Sequence, residues 1–352
     1  MCARLEAMMR LGFVGAGRIG RPMVRRLLAA GHEVRSTGRS AATRAALAED
    51  GAHVVDAVAE VGRGADAVLV CVFSDAQVRE VCLESGLLDG MPDGSVLVVH
   101  TTGSPNTAEA VAERAADHGV RVVDAPVSGG PHDVAAGNVT LFVGGSDDAV
   151  DAVRPALRSY GDPVLHVGSL GAGQRVKLVN NALFAAQIGL LANAVGLATR
   201  LGVDEGALLG ALRHASGASR ALDLVAARGS VAEFAASAGE FLKKDVAVAR
   251  HTAAELGGGL GVLGDAWNQA FETQHPQSSG KPRGNTEKIM KVHVDDERCQ
   301  GHTLCAMIAP KIFELSEIDG HSSVVVDEVP ADEEQRVMEA VNSCPERAIS
   351  IS

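Results

Sequence analysis

Three groups of residues in this 352-residue sequence have types and spacings that can do chemistry. The first is Gly15, Ala16, Gly17, Arg18, Ile19, Gly20, a GxGxxG placed between the apolar run 11–14 and a helical stretch. Gly15 permits a tight turn, Gly17 lets the backbone approach a pyrophosphate, and Gly20 lets the helix pack closely on the strand, with the helix N-terminus facing the phosphates. The second is Lys177 with Asn181, four residues apart and therefore on one face of an otherwise apolar helix. Desolvation on such a face lowers an amine's pKa towards the range useful for proton transfer. Lys177 is the candidate proton donor and acceptor, with Asn181 bonding the same substrate oxygen or orienting the amine; taken alone, the pair is equally open to a lysine snorkelling from a half-exposed helix. The third is CQGHTLC at 299–305, followed far downstream by Cys344 and Pro345. Cys299, Cys305 and Cys344 supply three thiolates and His302 an imidazole, a set open at this point to an iron–sulfur cluster or to structural zinc.

The elements that must position these groups follow one another in three regimes. From residue 10 to about 168, Val/Leu-rich runs (RLGFV, HEVRST, DAVLVCVF, SVLVVHTT, VRVVDAPV, VTLFVGG, PVLHVG) alternate with helical stretches, which predicts parallel βαβ units. From 171 to about 271 the pattern is helical and opens with one long helix, GAGQRVKLVNNALFAAQIGLLANAVGLATRLG, apolar on most sides and expected to be buried up to a stop at Gly202. ETQHPQSSGKPRGNTEK then reads as a linker. The remainder is a compact unit with strands expected at 291–294 and 348–351 and a helix at 333–342, small enough to need a staple. The expected class is α/β: a Rossmann-type dinucleotide-binding domain (1–168), an all-α substrate domain (169–271), a flexible linker (272–288) and a small α+β domain (289–352).

At the end of the second expected strand stand Gly38, Arg39 and Ser40, where an enzyme selective for NAD usually has Asp or Glu on the ribose 2′-hydroxyl. Arg39 suits a 2′-phosphate instead, which favours NADP over NAD.

Composition narrows the partners. Only 3% of residues are aromatic, which speaks against base-stacking platforms. Of the formal charge of −12, six Lys/Arg against thirteen Asp/Glu in 288–352 give −7 to the last unit, a field that repels nucleic acid and favours a basic protein partner. No apolar run is expected to reach the roughly 18 residues of a membrane span, so no membrane is expected and the chain reads as cytoplasmic. Cys2, Cys71 and Cys82 lie apart from the other three and read as incidental or buried thiols.

Residues 10–271 resemble the β-hydroxyacid dehydrogenases typified by 3-hydroxyisobutyrate dehydrogenase. The resemblance rests on GFVGAGRIGRPM at 12–23, HTTGSP at 100–105, DAPVSGGPHDVAAG at 124–137 and GAGQRVKLVNN at 171–181. It implies that Thr102 lies near the nicotinamide ribose and that Ser128, Gly129 and Gly130 hold a substrate carboxylate, a role consistent with a hydroxyl and consecutive amides forming an anion nest. Phe241 to Asp245 resembles the family's KD pair, which implies that Lys244 and Asp245 sit near substrate or nicotinamide. The implied reaction is reversible hydride transfer between nicotinamide and a small hydroxy acid or its carbonyl form. Imine reductases share the architecture but typically lack the lysine. The long apolar helix is expected to pair two copies into a homodimer.

Residues 289–351 resemble small bacterial ferredoxins that carry a 3Fe-4S cluster, which implies Cys299, Cys305 and Cys344 as ligands and His302 beside the vacant corner. A fourth iron on His302 and Cys3His zinc remain alternatives. A hydride is a two-electron carrier and the cluster accepts one electron at a time, with no flavin-binding segment to split the pair. The expected partners are therefore a ferredoxin reductase and a monooxygenase. The competing reading is an electron carrier whose dehydrogenase-like part only binds cofactor or docks a partner.

Overall fold

Strands buried on both faces need near-continuous apolar sequence, and the runs singled out above form such a sheet. In the computed structural model, which describes residues 8–271, 290–295, 298–299, 303–316, 321–326, 328–330, 333–344, 346 and 348–351, nine strands make one sheet. They are β1 (Arg10–Val14), β2 (Glu33–Ser36), β3 (His53–Val54), β4 (Ala67–Val70), β5 (Val96–Val99), β6 (Arg121–Asp124), β7 (Val127–Ser128), β8 (Val139–Gly144) and β9 (Gly161–Gly168). Their order is β3-β2-β1-β4-β5-β6-β8-β7, with β9 also pairing β8.

The first six strands pair in parallel. Contrary to the all-parallel expectation, β8 runs antiparallel to β6 and β7. VRVVDAPV is not one strand but two short ones, broken at Ala125 and Pro126, and β7 pairs with β8 across the sheet.

Helices α1 (Gly20–Ala29), α2 (Ala41–Glu49), α3 (Val58–Val61), α4 (Asp75–Arg79), α5 (Leu87–Gly90), α6 (Pro105–Ala116), α7 (Pro131–Ala136) and α8 (Asp147–Arg158) cover the sheet. Alternate strand residues divide the core. Phe13, Leu69 and Val98 meet Met23, Leu27, Leu47 and Val150 on one face. Val14, Val68, Val70 and Leu97 meet Val61, Val78, Leu87 and Val111 on the other.

The helical lobe is α9 (Ala172–Arg200), α10 (Glu205–Leu212), α11 (Arg220–Arg228), α12 (Val231–Glu255) and α13 (Val262–Phe271). Ile188 and Leu191 of α9 pack with Leu222, Val225, Leu242, Val246 and Trp267. The expectation of burial all round α9 holds for that side only. Val179 is 65% exposed and Leu190 60%, and Leu183, Leu197 and Leu201 are exposed with them. By length and composition α9 also reaches the measure of a membrane span, with mean hydropathy 1.6, against the expectation that no segment would. Its packing against α11, α12 and α13 makes it the central helix of this lobe.

The chain divides into two units, Met1–Pro276 and Gln277–Ser352. In the second, β10 (Val292–Val294) pairs antiparallel with β13 (Ile349–Ile351), and β11 (Phe313–Leu315) with β12 (Ser322–Val324). Helices α14 (Leu304–Ile308) and α15 (Glu334–Ser343) complete it. Its core contains Ile312, Phe313, Val337, Ala340 and Ile349. The expected linker 272–288, His302, Pro345 and Cys2 lie outside the described residues.

Candidate active site and cluster centre

The carboxyl ends of the parallel strands converge on one edge, where open α/β sheets bind ligands. Gly15 follows β1, Arg39 follows β2, Phe73 follows β4, Thr101 and Thr102 follow β5, and Ser128 to Gly130 follow β6. The glycine loop is built as its spacing requires. Gly15 has φ +96°, and a Cβ there would lie 2.2 Å from the Cys71 carbonyl oxygen, whereas a Cβ on Gly17 would meet nothing within 4 Å. That opening, ahead of an α1 N-terminus with no side-chain cap and no acidic residue in its first turn, fits a dinucleotide pyrophosphate. Ala16 is buried, Ile19 half-buried and Arg18 exposed. Arg39 is exposed in the loop before α2. Arg44 donates from Nη1 to the Gly38 carbonyl at 2.8 Å, which brings a second guanidinium to the same loop. Arg44 was not singled out from the sequence, since one more Arg on a polar helix face carries no local signal.

The helix bearing Lys177 is fixed to this edge by a carboxylate that sequence reasoning gave no role. Asp124, fully buried at the end of β6, accepts from the Gly171 amide through Oδ1 and from the Gln174 amide through Oδ2, each at 2.7 Å. It caps α9, whose own N-cap residue, Gly171, has no side chain to do so. Burial pushes the Asp124 carboxyl up to about 6, against the two amides. Gln174 then reaches back, accepting from the Gly103 amide at 3.0 Å and donating to the Thr101 carbonyl at 2.8 Å. Asp75 accepts from the Ser104 amide in the same loop, at 3.0 Å to Oδ2. The signal available in the sequence was a polar residue ending an apolar strand run and another opening an apolar helix.

His100, the first residue of the HTTGSP loop, lies in a buried chain: Nδ1 is 2.6 Å from the Ala125 carbonyl oxygen and Nε2 2.8 Å from the Tyr160 hydroxyl. Burial pulls its imidazole down to about 4. It is therefore neutral at physiological pH, with Nδ1–H donating and Nε2 accepting. Burial raises the Cys71 and Cys82 thiols to about 12, so both are inert packing groups.

Lys177 is 8% exposed and Asn181 is also buried. Burial pulls the Lys177 ammonium down to about 8, against the attraction of Asp245 and with a smaller push from Lys244. Asn181 donates from Nδ2 to Asp245 Oδ2 and accepts at Oδ1 from Asn180 at 3.0 Å. Lys244 pairs with Asp245 Oδ1 at 2.9 Å. The same ammonium donates to the carbonyls of Thr102 at 3.0 Å and Phe73 at 3.2 Å, and it lies 5.3 Å from the centre of the Phe73 ring. The structure thus brings Asn181, Lys244, Asp245 and Thr102 into one network, with Lys177 held in the field of its charges. Lys244 ties α12 to the loops that follow β4 and β5.

Ser128, on β7, is half-buried and opposite Thr140 of β8, and Gly129 takes φ +139°. The Gly130 amide already donates to Asp133 Oδ2 at 2.7 Å, so one donor of the expected nest is engaged by the chain's own carboxylate. His132 is exposed.

In the second unit, Cys299 is buried and Cys305 and Cys344 half-buried, and all three border one core. Cys299 Sγ accepts from the Ser322 amide at 3.4 Å and Cys344 Sγ from the Ala348 amide at 3.3 Å. Sulfurs in an apolar core that receive backbone amides fit the thiolate ligands of a cluster, whose charge such donors stabilise. Among the described residues, no group of three or more His, Cys, Asp or Glu side chains is placed to hold a single metal ion.

Comparison with known proteins gives three family matches along the chain. Residues 10–168 match the family described as the NAD binding domain of 6-phosphogluconate dehydrogenase. Residues 171–292 match the NAD-binding family of NADP-dependent 3-hydroxyisobutyrate dehydrogenase, and residues 292–351 a 4Fe-4S single cluster domain. Over 215 residues the chain is 34% identical to 3-hydroxyisobutyrate dehydrogenase of Pseudomonas aeruginosa, spanning 61% of this chain and 72% of that one. It is 32% identical over 221 residues to 2-(hydroxymethyl)glutarate dehydrogenase of Eubacterium barkeri, spanning 62% and 73%. The solved structure of Mycobacterium tuberculosis 3-hydroxyisobutyrate dehydrogenase with L-serine superposes with a TM-score of 0.68 at 28% identity, covering 74% of this chain and 92% of that one. With its glycine loop, its buried lysine and these relatives, the chain belongs to the 3-hydroxyisobutyrate dehydrogenase family of NAD(P)-dependent hydroxyacid oxidoreductases.

Proposed function

We propose that the chain is an NADP(H)-preferring dehydrogenase of a small hydroxy acid or its carbonyl form, joined to a one-electron 3Fe-4S ferredoxin unit. The observation that carries the enzymatic half is Lys177, an amine on a buried helix face with its pKa lowered to about 8 and a carboxylate in its field. When bound, the nicotinamide supplies or accepts the hydride. Lys177 Nζ takes the hydroxyl proton as the substrate is oxidised and returns it in the reverse direction. Asn181, held by Asp245, orients the site beside it. Thr102 and the glycine loop position the cofactor, and Ser128 with Gly129 and Gly130 faces the substrate carboxylate. The lysine favours a hydroxy acid over an imine substrate.

Cys299, Cys305 and Cys344 are the thiolates that would hold the cluster, and three thiolates suit three irons. When bound, the cluster supplies one-electron transfer. With no flavin-binding segment to split a hydride pair, the proposed electron source is a separate reductase and the proposed acceptor a monooxygenase whose basic face suits the acidic unit. The exposed apolar stripe of α9, Val179, Leu183, Leu190 and Leu197, supports pairing of two copies along this helix.

Replacing Lys177 by Ala should lower kcat by about 10²–10⁴-fold and leave NADPH affinity intact; unchanged turnover would remove Lys177 from the proton transfer, and a wild-type chain that binds NADPH without turnover would leave the first unit a cofactor-binding or docking role. In the intact enzyme, oxidation requires neutral Lys177, so its rate should rise with pH through about 8, and reduction, which requires the ammonium, should fall over the same range. Arg39→Ala should weaken NADPH binding by about tenfold or more and leave NADH little changed, as loss of a charge-assisted bond to a phosphate predicts. Protein prepared without air should be coloured and hold about three irons per chain; colourless, iron-free protein would remove the ferredoxin reading. Sedimentation should give a dimer mass that Leu190→Glu reduces to a monomer, and a monomeric wild type would contradict pairing through α9.

A further inference from the structure

The core of the second unit keeps a hydroxyl that bonds none of the described residues. Ser322 opens β12 and is 2% exposed. Its backbone amide donates to Cys299 Sγ, but its Oγ is buried and has no hydrogen-bond partner among the described residues. The other buried polar residue described in this unit, Glu333, pairs with Lys311 at 2.7 Å and Arg336 at 3.4 Å. Ser323 is exposed to solvent, as the alternation of a strand requires. Of these two adjacent serines, the one turned inward has no side-chain partner among the described residues.

An unsatisfied buried hydroxyl opposes folding, because it has given up its water without gaining a partner. Alanine would fit the same strand position without that penalty, since the backbone amide does the bonding to Cys299. Native cores seldom keep such an atom unless a bound group completes it. The sulfur beside this residue belongs to a cysteine that the proposed function gives to the cluster, and a cluster presents further sulfurs, each a hydrogen-bond acceptor.

We propose that the Ser322 hydroxyl donates a hydrogen bond to a sulfur at the Cys299 corner of the cluster and raises its reduction potential. This rests on the reading that Cys299, Cys305 and Cys344 hold an iron–sulfur cluster. Reduction adds an electron to a group that is already anionic, so a donor fixed in a dry core stabilises the reduced form more than the oxidised one. Ser322 is a positioning and tuning residue of the electron-transfer centre. It makes no covalent bond to iron and takes no part in hydride transfer.

The test compares the midpoint potential of the full, cluster-loaded chain with that of Ser322→Ala, by redox titration followed optically and by electron paramagnetic resonance. The alanine variant should titrate at a more negative potential, Ser322→Thr should restore the wild-type value, and dehydrogenase turnover should be the same in all three. An unchanged midpoint in the alanine variant overturns the proposal. If that variant fails to keep its cluster, the wild-type chain decides. A hydrogen coupled to the cluster spin that is replaced by deuterium within minutes of transfer to D2O, ahead of the buried amides, supports the hydroxyl donor, and its absence refutes it. Wild-type protein without iron removes the cluster reading itself and is told apart by the iron assay before any variant is made.

Discussion

The arrangement of the dehydrogenase site depends on one carboxylate laid across the first turn of a helix. Asp124 ends a strand of the sheet and accepts the amides of Gly171 and Gln174, so the start of α9 is registered against the strand edge to within a hydrogen bond. Everything downstream on α9 inherits that register. Lys177 lies one turn further, Asn181 one more, and Gln174 carries the constraint sideways to Gly103 and Thr101. The loop so held then presents the Thr102 carbonyl to Lys244. Four segments distant in sequence are thereby joined by hydrogen bonds beside Lys177 and Asn181.

A buried lysine is useful only while its ammonium and amine forms are close in free energy. Burial alone would drive the proton off, and the Asp245 carboxylate alone would hold it on. Their opposition sets the balance near neutrality, and Lys244 keeps Asp245 from acting on Lys177 undiluted. The charges at the site therefore form a set of three, in which changing Lys244 or Asp245 alters the proton affinity of Lys177.

Local pattern was enough for the elements and for the residues whose chemistry shows in their own neighbourhood. The alternation of strands and helices, the glycine loop and the Lys177–Asn181 spacing are periodic or contiguous signals, and the structure bears out the strands, helices and loop geometry they imply. What was illegible depends on pairs far apart in the chain. Asp124 meets a helix 47 residues on, Lys244 meets carbonyls 142 and 171 residues back, and no window of sequence contains both partners. The break in VRVVDAPV illustrates a second limit. An apolar run fixes that a strand forms but not where it turns, and the antiparallel return of β7 against β8 follows from tertiary pairing. The exposed side of α9 is a third: composition gives an apolar circumference, and only packing tells which part of it has a neighbour within the same chain.

The attachment of Lys244 bears on how quickly the cleft can breathe. Its ammonium donates to two main-chain oxygens of the nucleotide-side loops and forms an ion pair with Asp245. Lifting α12 away from those loops must strip two acceptors from a cation at once and leave them to water. Any movement of α12 away from those loops is thus coupled to the rehydration of a single side chain, which acts as a hasp between the helix and the strand edge.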